Sequence, residues 1–384
     1  MAVRAAIGAT ALALLLAPLL GGCAASLPVG GERGSTGAPA SIQRLAKQAA
    51  ASDAVLATLV ADDAPGCSAA VGRPGEPLWA GARGLADLAA GTPLTTSTRF
   101  EMASLAKQFT GALVLALVGD GLLGLDDPIG THVAGLPAWG RTITVEQLLH
   151  HTARLPDFWI ELEDEGIGFS DPADQAAVLA AIRRVEAPLD GSGYAYANSH
   201  YVLLAAAVES VTGKPFAATL QARVLDPLGL DARIEPAAVA ADVAVGHDAE
   251  GVPIIAAWTA VGPVGLVTTP TELVRWSAQF ASDGLLAAAA EGAVDSSEGL
   301  AEYAGERYGA GIRIAADGTL FHAGRWGGSV SILEVSPARD LTIAIACNRM
   351  GAPRVELVNA LSTIWGAHGA ASEEGAGGSD GGEG

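Results

Sequence analysis

Positive charge is what this chain has least of. Among its 384 residues, 22 lysines and arginines stand against 42 acids, a formal net charge of −20. A surface that acidic argues against nucleic-acid partners and against attraction to anionic lipid heads. Cysteine is scarce as well, at three residues. No zinc spacing is spelled out, since His150 and His151 are adjacent and face different ways. Neither a phosphate loop nor a dinucleotide fingerprint occurs. No metal and no cofactor is therefore expected. The apolar stretch 5–20 is too short for a membrane-spanning helix.

That stretch follows the lone basic residue Arg4 and closes on Leu20-Gly-Gly-Cys23. It reads as a signal peptide over residues 1–22. Leu-Gly-Gly-Cys resembles a bacterial lipobox, so Cys23 is expected to carry a lipid and to become the mature N-terminus. The alternative is an ordinary cleaved signal. The lipoprotein reading places the protein in the cell envelope, held to a membrane by lipid alone. Residues 23–40 are rich in Gly, Ala, Ser and Pro and read as a flexible tether. Residues 368–384 are Gly-rich and acidic and read as a disordered tail. The remaining cysteines, Cys67 and Cys347, each sit in an apolar, strand-like run. They form either a disulfide of an exported protein or two buried small side chains.

Half of the chain is hydrophobic, ample for a large core. Apolar residues at helical spacing predict an opening helix over 41–60. A strand-turn-strand pattern follows over 67–80. Residues 111–261 read as mostly helix and loop, with Thr144 as an N-cap, a helix over 201–211, and an acidic loop at 161–165. Short apolar runs at 308–314, 319–323, 328–335 and 341–346 read as an antiparallel meander, closed by a helix over 355–364. The expected fold is an α+β type: an antiparallel sheet of five or more strands, flanked by helices. Its sheet part is drawn from about 41–110 and 262–367, with a helical part (111–261) inserted.

The chemistry concentrates on Phe100-Glu-Met-Ala-Ser-Leu-Ala-Lys-Gln-Phe-Thr110. Ser104 precedes a helix apolar on every side, where unpaired backbone N–H groups favour a developing anion. Lys107 lies one turn along the same face, unfavourably placed for the helix dipole and for burial. Such local conflicts mark functional sites. With 21 serines and three lysines in the chain, chance supplies about 0.16 Ser-x-x-Lys pairs. Ser104 is the nucleophile candidate. Tyr194-Ala-Tyr-Ala-Asn198 is extended, so Tyr196 and Asn198 share a side. Phe321-His-Ala-Gly-Arg-Trp-Gly-Gly328 places glycines where another backbone or a ligand approaches a strand. The amides of Arg325 and Ser104 then make an oxyanion-hole pair.

Ser104-Leu-Ala-Lys107, Tyr196-Ala-Asn198 and His322-Ala-Gly324, in that order, resemble the serine β-lactamase and penicillin-binding-protein superfamily. The Tyr and His forms are similar to its class C-related branch of D-alanyl-D-alanine carboxypeptidases and esterases. Landmark runs at 148–156, 212–216, 226–229 and 265–269 extend the resemblance from about residue 41 to 367. It implies an acyl-serine mechanism. Ser104 attacks a carbonyl, Lys107 or Tyr196 takes its proton, and Asn198 orients Lys107. His322 would donate to Tyr196 or to a substrate carboxylate. Gly324 and Arg325 would complete the substrate strand and oxyanion site. The chain departs from the pattern at His322, where the superfamily often has Lys, and at Ala153-Arg154, where Ser-Gly is usual. Arg325 is a candidate replacement cation. The implied substrates are small esters or amides, D-Ala-type peptides or β-lactams. The alternatives are a sensor-like protein that acylates without turnover, and a non-catalytic binding module.

Overall fold

A computed structural model describes residues 40–366 apart from 255, 256 and 299. The signal peptide, Cys23, nearly all of the tether and the acidic tail fall outside these residues.

Eight strands form one antiparallel sheet. They are β1 (Cys67–Arg73), β2 (Glu76–Arg83), β3 (Val294–Asp295), β4 (Arg307–Tyr308), β5 (Arg313–Ile314), β6 (Leu320–Trp326), β7 (Ser329–Val335) and β8 (Thr342–Cys347). Their order across the sheet is β2-β1-β8-β7-β6-β5-β4-β3, so its first and last strands in sequence pair with each other. Cys67 lies directly opposite Cys347 in that pair, and the two form a disulfide. The helices that carry site residues or pack on the sheet are α1 (Ala40–Leu59), α2 (Ala106–Gly119), α3 (Phe158–Asp164), α4 (Asn198–Thr212), α5 (Pro270–Trp276) and α6 (Arg354–Trp365). Among the described residues, no helix is long and apolar enough to cross a membrane.

The central strands are buried nearly throughout because both sheet faces are covered. Period-two alternation divides their side chains between two cores. Ala69, Val71, Ile343 and Ile345 pack with Leu56 of α1 and Leu357, Leu361 and Trp365 of α6. Trp365 also donates its indole N–H to Ser52 Oγ at 3.0 Å, tying the two terminal helices together. Ala70, Ala344 and Ala346 face the other core with Phe109, Leu113, Leu273 and Trp276. There the Phe109 and Trp276 rings stack at 3.9 Å, and Trp276 Nε1 donates to Gln108 Oε1 at 3.0 Å. Truncating Phe109 to alanine would cost about 3–5 kcal/mol. Helix α2 is thereby clamped beneath the sheet, with its N-terminal turn at the edge of β6.

Two expectations need correction. The apolar run 308–314 is not one strand. It bends into β4 and β5 around Gly311 (φ +79°), where a Cβ would stand 2.4 Å from the Lys107 carbonyl oxygen. The chain therefore turns to pass α2. The acidic segment 161–165 is not a loop: residues 158–164 are helix α3, held by buried Phe158 and Leu162, with Glu163, Asp164 and Glu165 exposed.

Candidate active site

Ser104 lies in a one-turn 3-10 helix, Ala103–Leu105, that runs into α2, and no side chain caps this start. Ala103 takes φ +50°, a left-handed conformation unfavourable for a residue with a Cβ. Surrounding bonds hold it there. Glu101 accepts the Ala103 N–H on Oε2 and the Gly265 N–H on Oε1, each at 2.8 Å. Met102 N–H bonds the Leu266 carbonyl at 2.8 Å, and Ser331 Oγ donates to the Met102 carbonyl at 2.8 Å. Strand β6 closes against the same turn. A Cβ on Gly324 would lie 2.7 Å from Met102 O and 2.8 Å from Ala103 Cβ, so glycine is required there.

Lys107 is 0% exposed, whereas Ser104, Tyr196 and Asn198 are partly open to solvent. Lys107 Nζ stands 3.0 Å from Ser104 Oγ, 2.7 Å from Asn198 Oδ1 and 3.4 Å from the Pro263 carbonyl oxygen. It also lies 4.7 Å from the Tyr196 ring centroid. Tyr196 donates its phenolic proton to Ser104 Oγ at 3.0 Å. Burial lowers Lys107 to a pKa of about 7, opposed by the negative charges of Asp157 and Glu101. Burial pushes the Tyr196 phenol above its ordinary range. Near neutral pH this makes an uncharged amine accessible beside a protonated phenol. Its two N–H groups suit the two carbonyl oxygens, leaving the lone pair for the Ser104 hydroxyl.

Asn198 is the first residue of α4, and its side chain reaches Lys107. His322 departs from the expectation. It makes no hydrogen bond to Tyr196, whose ring centroid is 6.4 Å away. Its Nδ1 meets the Ala323 carbonyl at 2.7 Å, so Nε2 accepts from Tyr308 Oη at 3.1 Å. Burial and the nearby Lys107 and Arg313 charges hold its pKa well below the usual value, so it supplies no cation. Arg325 is exposed on β6 beside buried Gly324.

Several site residues escaped the sequence reading. Asp157 Oδ2 accepts both the backbone N–H of Asn198 at 2.7 Å and its Nδ2 at 2.9 Å. Burial raises Asp157 to about 6, and Glu101 to about 7. His151, weighed earlier for metal binding, instead packs against Tyr196 with ring centroids 4.3 Å apart. His200 Nε2 accepts the Leu155 N–H at 3.3 Å, which leaves its Nδ1 to donate to His151 Nδ1 at 2.7 Å. Arg313 pairs with Glu306 and donates to Tyr194 Oη at 3.2 Å. The usable signals were Asp157 at the start of a helix and Glu101 beside the serine motif. Their partners lie 41 and 164 residues away.

The beta-lactamase family model matches residues 46–362. Esterase EstB of Burkholderia gladioli is 38% identical over 184 residues, which is 43% of this chain and 45% of that protein. The D-aminopeptidase of Brucella anthropi is 31% identical over 171 residues, 43% of this chain and 32% of that protein. The matches thus span less than half the length of these curated relatives. The solved structure of a D-stereospecific amidohydrolase from Streptomyces sp. shares the fold, with a TM-score of 0.67 at 21% identity. That likeness covers 81% of this chain and 98% of the other.

Proposed function

The chain belongs to the beta-lactamase family, and from that premise we propose that it is a serine hydrolase cleaving esters or amides through an acyl-Ser104 intermediate. One observation carries the reading: Ser104 Oγ lies 3.0 Å from both Lys107 Nζ and Tyr196 Oη. Lys107 takes the serine proton as Oγ attacks the substrate carbonyl. Tyr196 gives its own proton to the departing oxygen or nitrogen, and the proton on Lys107 replaces it. The amides of Ser104 and Arg325 hold the oxyanion, while Gly324 lets the strand approach. In deacylation the same pair activates water, and the proton returns to Ser104. Asn198 keeps Lys107 in place and offers its amide to the substrate.

The neutral, Tyr308-bonded His322 favours substrates with no carboxylate beside the scissile bond. Esters and simple amides are therefore preferred to β-lactams and D-Ala-terminated peptides. Exposed Arg325 supports a second reading in which it meets a substrate carboxylate. Turnover of p-nitrophenyl butyrate, D-alanine p-nitroanilide and nitrocefin by wild type, Ser104→Ala and Arg325→Ala tests both. Ester hydrolysis lost in Ser104→Ala, with little nitrocefin turnover, is expected. Rapid nitrocefin hydrolysis that Arg325→Ala abolishes would establish the second reading instead.

A further inference from the structure

Asp157 stands at the N-cap position of α3, where an aspartate ordinarily binds the amides of its own helix. No side-chain cap bond forms here, although the Trp159 amide of that helix favours the charged carboxylate, and Oδ2 accepts both the backbone N–H and the side-chain Nδ2 of Asn198. A carboxylate can only accept, so Nδ2 must face Asp157 and Oδ1 must face the other way. The group on that other side is Lys107 Nζ, 2.7 Å from Oδ1. The chain of contacts then runs from Asp157 through Asn198 and Lys107 to Ser104.

We propose that Asp157 is a positioning residue that locks the Asn198 amide with its oxygen toward Lys107, so that Lys107 is held at Ser104. This rests on the acyl-serine reading above. Without Asp157 only the Lys107 contact holds the amide to one face, and a flip would set Nδ2 against Nζ, donor to donor. The carboxylate has a second effect through its charge. Lys107 is flanked by Asp157 and Glu101, which favour its protonated form, and by Arg313, which disfavours it. His151, His200 and His322 also feel the Lys107 charge, and burial keeps each of them neutral. Asparagine at position 157 would keep an acceptor for Asn198 while removing the charge. Leucine would remove both.

The test is ester hydrolysis from pH 6 to 10 by Asp157→Asn, Asp157→Leu, Asn198→Ala and the Asp157→Leu/Asn198→Ala double variant, each checked for folding by circular dichroism. Asp157→Leu is expected to lower kcat/KM about 100-fold, and the double variant to fall no more than about threefold below the weaker single one. Asp157→Asn is expected to lose only about threefold at pH 9 and to move the acid limb about one unit lower. A merely structural Asp157 would give losses that multiply in the double variant, and that result overturns the proposal. So does an Asp157→Asn enzyme as impaired as Asp157→Leu with its acid limb unmoved. If Asp157→Leu fails to fold, the asparagine profile alone decides. Full ester turnover by Ser104→Ala would instead remove the acyl-serine reading itself, a separate failure.

Discussion

Lys107 Nζ lies 3.0 Å from Ser104 Oγ, and its two other polar neighbours, Asn198 Oδ1 and Pro263 O, are oxygens that only accept. The uncharged lysine satisfies all three contacts with its lone pair on the serine. The charged lysine fills them with three donors and leaves nothing to take the serine proton. In the proposed mechanism, catalysis depends on which form is present.

That dependence sets the pH profile. Lys107 is lowered to about 7 by burial, and a base acts only when deprotonated. We expect kcat/KM to rise as pH increases through about 7, with inflections that belong jointly to Lys107, Glu101 and Asp157. Lys107→Ala should lower kcat by about 10²–10⁴-fold and remove this limb. A flat profile between pH 5.5 and 8.5 in the wild type would contradict the assignment.

Gly324→Ala tests the close approach of β6 to the nucleophile turn. The added Cβ would press on Met102 O and Ala103 Cβ, neither of them a flexible side-chain end. We expect a folded protein whose ester turnover is down about 100-fold, since small displacements of reacting groups have effects of that order. Unchanged kinetics would show that the strand can retreat without disturbing Ser104.

Much of this arrangement was legible in the chain itself, where a pattern is local. Ser104 and Lys107 share a helical turn, so spacing alone pairs them, and Thr144 closes a capping box with Gln147 as a capping residue should. Tyr308–Ile314 misled because its apolar content hides a turn set by the neighbouring helix. Asp157 and Glu101 were invisible as site residues for a different reason. A lone acid near a helix start reads as a cap or as solvated surface, and only tertiary packing brings Asn198 and Gly265 to them. His322 looked like a site donor because its motif position is suggestive, yet Tyr308 at 3.1 Å claims its ring.

The Cys67–Cys347 disulfide closes a loop across 280 residues of sequence. Replacing both cysteines with alanine should lower stability by about 2–4 kcal/mol and leave the site geometry intact. Thermal melts with and without reductant, alongside ester turnover, measure this. A melt insensitive to reductant would show that the bond contributes nothing.

For the N-terminus, we propose lipid anchoring at Cys23, motivated by Leu20-Gly-Gly-Cys23. Cys23→Ser in a bacterial host should move the protein from the membrane fraction to the soluble one. Identical fractionation of the two forms would remove the proposal.

The central claim is that Ser104 is the nucleophile. Intact-mass analysis and peptide mapping after reaction with a fluorophosphonate test it directly. We predict one adduct per chain on the peptide containing Ser104, and none in Ser104→Ala. Equal labelling of both proteins, or an adduct on another residue, would contradict the account.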